Sequence, residues 1–306
     1  MQSHSLLSTT FSALVLATCL SAAQDIPPQA AQLEAAGFKV HKRNPSGYAV
    51  DFGKVKVLDD ASIANIAALR EVRELSGTGE GVDNAVLAKL VKAAPDLETF
   101  FVNGSTITDE GLTVLSKLPK LRHLGVHHGP KEMKGKGLLA LKGNQNFKSV
   151  EFGGMQSIDD ESVGYLAEMP HLRAINIYHT MNTRASLPLL VKKNPLLEKF
   201  SLNPHFDPKR FSAEDIAMLA PLKNLSELLL NDMVLPYENG LSHLTALKGL
   251  KKVSLEWSIY KDEDLAKLKA ALPGVEIIST NRAKPEELAK WNERVEAMKK
   301  EATKAP

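Results

Sequence analysis

Residues Leu97 to Leu121 read LETFFVNGSTITDEGLTVLSKLPKL, and the reading of this stretch decides the fold. Leu97, Phe100 and Val102 set apolar side chains at positions one, four and six of a polar run. Phe100 and Val102 alternate with their neighbours as a strand does when it buries one face. After Asn103-Gly104-Ser105 the period changes. Leu112, Leu115 and Leu118 recur at every third residue, like the buried stripe of a helix, and Pro119 ends it. The one-four-six spacing returns at Leu121/Leu124/Val126, Phe147/Val150/Phe152, Leu172/Ile175/Ile177, Leu197/Phe200/Leu202, Leu225/Leu228/Leu230 and Leu250/Val253/Leu255. The starts lie 24, 26, 25, 25, 28 and 25 residues apart. Stepping back finds Val72/Leu75/Gly77 and a degenerate Gly47/Val50/Phe52, and stepping forward finds a truncated Val275/Ile277. A lone strand and short helix cannot bury both apolar stripes, so each repeat must cover the next. The expected fold is an α/β solenoid of about nine repeats, a curved horseshoe with a parallel concave sheet and short convex helices.

The helical halves carry start and stop signals. Thr108, Asp159, Ser212 and Asp262 stand where an N-cap oxygen would accept from orphan helix N–H groups, and Ser212-Ala-Glu-Asp215 has capping-box spacing. Pro119, Pro170 and Pro273 stop the segments before them. With the "ITDEGL…L..LP.L" pattern of Ile107 to Leu121, the chain resembles the leucine-rich-repeat family, in the helix-bearing subtype found in F-box proteins and exported bacterial proteins. The resemblance covers residues 47–279 and implies partner binding without naming the partner. One departure stands out. Three residues after the last strand leucine the family often places Asn or Cys, whose side chains tie the loops in a ladder. Here those positions hold Ser105, Gly129, Met155, Thr180, His205, Met233 and Ser258, so the ladder should be partial.

An open stack needs covered ends. Residues 24–46 read as an N-terminal cap: helical Gln29 to Ala36, stopped by Gly37, then the start of a hairpin turning around Asn44 to Gly47. Residues 280–306 read as a C-terminal capping helix and tail, with Leu288, Trp291, Val295 and Met298 on one stripe. Residues 1–23 contain no Lys, Arg, Asp or Glu, and Phe11 to Leu20 forms an apolar core too short for a bilayer. Ser21-Ala22-Ala23 follows, so an export signal cleaved near Ala23 is expected, with a periplasmic, cell-surface or secreted product. The one cysteine, Cys19, lies inside that segment. A lipoprotein cleavage box there is disfavoured by Thr18, and the chain beyond it has no thiol for disulfides or catalysis.

Composition removes several functions. Lys and Arg total 38 against 36 Asp and Glu, interspersed, which leaves no concentrated basic face for nucleic acid. No phosphate loop, dinucleotide glycine pattern, nucleophile elbow or zinc-protease motif occurs, so no enzyme and no cofactor is expected. Between the strand leucines, positions two, three, five and seven are expected to face the concave side. The middle of the arc thereby collects Phe101, His123, His127, Glu151, Asn176 and Tyr178, beside Gly125 and Gly153, which read as open space. Aromatic faces with hydrogen-bonding groups suit a protein partner first and a glycan second. Neither Phe101 nor Tyr178 is expected to pack between repeats, so losing either should spare stability. His127, His128, His179 and His205 also gather near the rim, but these loops would need to bring ligands within about 2 Å of one ion, and no metal site is expected.

Overall fold

The computed structural model describes residues 27–286 apart from 54 and 206, together with 289 and 293. The apolar segment with Cys19, and the stripe of Leu288, Trp291, Val295 and Met298, lie outside the described residues. The first helix, α1 (Pro28–Ala35), buries Ala30 and Leu33 and ends ahead of Gly37, whose φ of 95° lets the chain turn back. Strands β1 (Lys39–Lys42) and β2 (Tyr48–Asp51) then pair antiparallel, Val40 opposite Val50.

From β2 onward every neighbour is parallel and in chain order. The series continues through β3 (Val72–Thr78), β4 (Thr99–Asn103), β5 (His123–His127), β6 (Ser149–Gly153) and β7 (Ala174–Tyr178). It ends with β8 (Lys199–Leu202), β9 (Glu227–Leu230), β10 (Lys252–Ser254) and β11 (Glu276–Ile278). The pairing register is the sequence repeat itself. Leu75, Phe100, Leu124, Val150, Ile175, Phe200, Leu228, Val253 and Ile277 lie side by side across nine strands. Phe100, Leu124, Val150, Ile175, Leu228 and Val253 have no exposed surface, so the fourth-position row is a continuous core.

The returning segments carry α2 (Asp60–Leu69), α3 (Asn84–Ala93), α4 (Asp109–Leu112), α5 (Asp160–Ala167), α6 (Leu187–Lys193) and α7 (Asp262–Ala271). Lys136–Leu141, Ala213–Leu219 and Leu241–Ala246 are 3-10 helices instead. Strands stack about 4.8 Å apart, whereas helices need about 10 Å, so the strand side is the inside of the bend. Short 3-10 turns thin the outer layer where apolar spacing is too brief for an α-helix.

Two of the four expected N-caps hold. Asp159 accepts from Ser162 N–H and Ser212 forms its capping box with Asp215. Thr108 does not cap. Its hydroxyl accepts from Asn84 Nδ2 and its N–H donates to Asn84 Oδ1, both at 2.9 Å, so it is spent on the preceding repeat. Asp262 sits inside α7 behind Lys261 and pairs with Arg282 at 2.5 Å. The acidic residue of the ITDEGL pattern has a related job. Asp109 accepts from Lys134 N and Gly137 N, and Asp160 accepts from Thr183 N and its hydroxyl, so each repeat clasps the next loop. The loop ladder is partial, as its residues foretold. Ser258 accepts from Met233 N–H and donates to Leu230 O, while Met155 and Met233 fill their positions as buried apolar groups.

Candidate functional site

The parallel register brings all six concave residues onto four adjacent strands. Phe101 is on β4, His123 and His127 on β5, Glu151 on β6, Asn176 and Tyr178 on β7. Phe101, Gly125, Glu151 and Asn176 form one row, and Asn103, His127, Gly153 and Tyr178 the next. Alternation along each strand turns both rows away from the core.

The cluster is knit together. His127 Nε2 lies 2.7 Å from Glu151 Oε1, and the Tyr178 hydroxyl lies 2.9 Å from the same nitrogen. Phe101 meets the His127 ring edge to face with centroids 4.6 Å apart, and Tyr178 meets it at 5.3 Å. His123 Nδ1 is 2.9 Å from the Ser149 hydroxyl. His127, Glu151 and Asn176 are buried, and Phe101, His123 and Tyr178 are half-buried.

Gly125 and Gly153 are not open space. A Cβ on Gly125 would come 2.4 Å from the Phe101 ring, and one on Gly153 would come 2.5 Å from the Tyr178 ring. Each glycine is the floor on which an aromatic from the adjoining repeat lies. Phe101 and Tyr178 therefore pack between repeats after all, and their loss is expected to cost stability.

Burial dominates the electrostatics. It works to raise the Glu151 carboxyl, but the hydrogen bond and charge of His127, with help from Asn176 and His123, hold the group below its ordinary range. Asn176 and the Tyr178 hydroxyl face this carboxylate, yet its Oε2 has no partner at hydrogen-bonding geometry. Burial, with the Glu151 charge and hydrogen bond behind it, pushes the Tyr178 hydroxyl far up, so it stays a proton donor. Burial also lowers His123, against the pull of Glu151.

A second grouping lies on the rim beyond β7, β8 and β9. His179 Nε2 is 2.9 Å from Asp232 Oδ2, and the His179 and His205 rings are 4.3 Å apart. Burial, then the charge of His179, pushes the His205 imidazole down to about 4. The sequence reading found both histidines and missed Asp232. The signal was there: Asp232 stands in the turn after β9 as His179 does after β7. Beside it, a cavity of about 560 Å³ opens between the rim loops, with Pro204, Phe211, Met233 and Pro236 among its walls. The basic loop after β5 is tied down, since Lys134 pairs with Asp159 and Glu161 and Met133 is buried.

Ten parallel strands in repeat register, the first nine each followed by a returning helical segment, define a leucine-rich-repeat solenoid. Similar solved structures include internalin C2 from Listeria monocytogenes, 22% identical with a TM-score of 0.47, covering 85% of this chain and 99% of that one. An internalin (inlF) from the same species is 19% identical with a TM-score of 0.38, covering 74% of this chain and 72% of its own. TLR13, in a TLR13–ssRNA13 complex, is 14% identical with a TM-score of 0.47, covering 74% of this chain and 31% of its own. No protein-family model matches the sequence, and no curated protein matches it. The assignment of the fold rests on the chain's own strand register and not on these distant likenesses.

Proposed function

We propose that the chain is a non-catalytic binding module that holds a protein partner on its concave face and rim loops, in the cell envelope or outside the cell. The observation that carries this reading is the concave cluster itself. Phe101, His127, Glu151, Asn176 and Tyr178 hold one another on four adjacent strands and Ser149 holds His123, while the Phe101, His123 and Tyr178 rings stay half-buried. Groups ordered before binding lose little freedom on association, and aromatic anchors with a polar handle contribute most at interfaces. Catalysis is not part of the reading, because the Tyr178 hydroxyl, pushed up by burial, stays protonated beside the His127–Glu151 pair and offers no activated nucleophile. Among the described residues no helix is long and apolar enough to cross a membrane.

The test is a pull-down on the immobilised chain, with the recovered partner then titrated against variants. Phe101→Ala and Tyr178→Ala should each weaken binding by about 2 kcal/mol or more, and each should also lower the melting temperature because its ring packs on a glycine of an adjoining repeat. Lys117→Ala, exposed on the convex side, should leave binding unchanged. Loss on the convex change alone would move the interface to the helices. The half-exposed Phe101 and Tyr178 rings beside Asn176 also favour a second reading, a glycan-binding or substrate-capturing accessory, which specific binding on a glycan array would select.

Export is proposed on the apolar run of residues 11–20 and the small residues after it. Sequencing the N-terminus of the exported form should find it near Gln24, and an intact Met1 would refute cleavage.

A further inference from the structure

His179, His205 and Asp232 sit in the turns that follow three successive strands. All three have left-handed backbone, with φ of 52°, 55° and 54°. Glycine fills the matching turns after β4 and β6, as Gly104 and Gly154, while His128 and Trp257 take the same left-handed form after β5 and β10. Holding a residue with a Cβ there costs about 1–2 kcal/mol, a cost these turns share with those of His128 and Trp257, so the convergence of the side chains is what sets the three apart. Here the side chains converge. The ligating atoms of the three residues all lie within 4.8 Å of one another.

Two neighbouring details prepare the convergence. The β7–β8 ladder stops at Ile175–Phe200, because the Ser201 hydroxyl takes the N–H and C=O of Ile177. With pairing ended early, the strand ends are free to diverge, and His179 reaches over β8 to Asp232. Asn203 Nδ2 then donates to Asp232 Oδ2 at 3.0 Å, the kind of outer hydrogen bond that orients a metal-binding carboxylate.

We propose that His179, His205 and Asp232 form a binding site for a divalent transition metal, zinc in the first place, with three protein ligands and an open fourth position. Two imidazoles and one carboxylate match zinc and its neighbours, whereas calcium and magnesium demand oxygen. Ligands about 2.0 Å from a tetrahedral zinc lie about 3.3 Å apart, so side-chain rotation within the cluster closes the site. The His179 and Asp232 side chains keep 27% and 15% of their surface exposed, which gives an ion a way in and leaves the fourth position to water or a partner's side chain.

The experiment uses untagged full-length chain stripped with a chelator, titrated with zinc alone by calorimetry and with cobalt(II) by visible absorption. One zinc per chain is expected, together with cobalt d–d bands of a nitrogen–oxygen site and a higher melting temperature. His205→Ala and Asp232→Asn should abolish binding, Asn203→Ala should weaken it about 10- to 100-fold, and His171→Ala should leave it intact. In the unaltered chain, zinc should shift the ring signals of His179 and His205 in nuclear magnetic resonance, and not those of His41 or His243. That measurement decides the matter even if a variant fails to fold. Absence of zinc binding, or binding that perturbs other histidines or survives Asp232→Asn and His205→Ala, would overturn the site.

Discussion

Replacing Leu124 by Asp is expected to unfold the middle of the stack, lowering stability by about 4–5 kcal/mol or more. Leu124 has no exposed surface and lies in register between Phe100 and Val150, so a carboxylate there meets only hydrocarbon. It must either stay charged without water or be protonated at a cost in free energy. The damage spreads because repeats in a solenoid touch only their neighbours, and a broken interface uncouples both halves. Domain stabilities run to only about 5–15 kcal/mol, so this one change uses up much of the total. Urea denaturation followed by circular dichroism checks it, and an unchanged midpoint would mean that the fourth-position row is not the core.

The second large effect is expected from His127→Ala, and it should depend on pH. The Glu151 carboxylate is buried against His127, and removing one member of a buried pair costs about 3–5 kcal/mol. In the native chain the Glu151 pKa lies below its ordinary value of 4.5. Its contribution is therefore fully present above pH 4.5 and fades as the pH falls through the lower folded value. Without His127 the main opposing influences are lost, only Asn176 and His123 still pull the carboxyl down, and burial, the largest influence, should raise it instead. The variant's deficit should be greatest at pH 7 and shrink toward pH 4, where protonation removes the unpaired charge. Denaturation midpoints at the two pH values measure this, and equal midpoints for variant and parent at pH 7 would show that the pair contributes nothing.

Repetition makes the sheet legible in the sequence alone. A single apolar pair such as Phe100 and Val102 is ambiguous, but the same pair at 24- to 28-residue intervals leaves one stacking register, and the structure has it. The concave residues followed, since register and alternation alone decide which side chains share a face. What lay across the face did not follow. Gly125 and Gly153 looked like room because a missing side chain reads as space in one dimension, whereas the aromatic that covers each comes from an adjoining strand. Thr108 has good capping chemistry, and its failure to cap depends on Asn84, 24 residues away. Asp232 went unnoticed for a related reason. Its place in the turn after β9 follows from the repeat, but its partners belong to other repeats, and the early end of the ladder beside them at Ser201 is not encoded by spacing.

The reversal of direction at β1 has a consequence for life in a crowded compartment. A pile of parallel strands is by its geometry unfinished, and another molecule's strand can in principle continue it into a fibre. Here the first edge runs backward and is short, and it presents exposed Lys39, His41 and Lys42 in four residues. A second copy arriving there would have to abandon the parallel pairing used by every other junction and bring its own positive edge against this one. Short, charged and reversed, β1 is the kind of edge at which strand-by-strand extension is disfavoured.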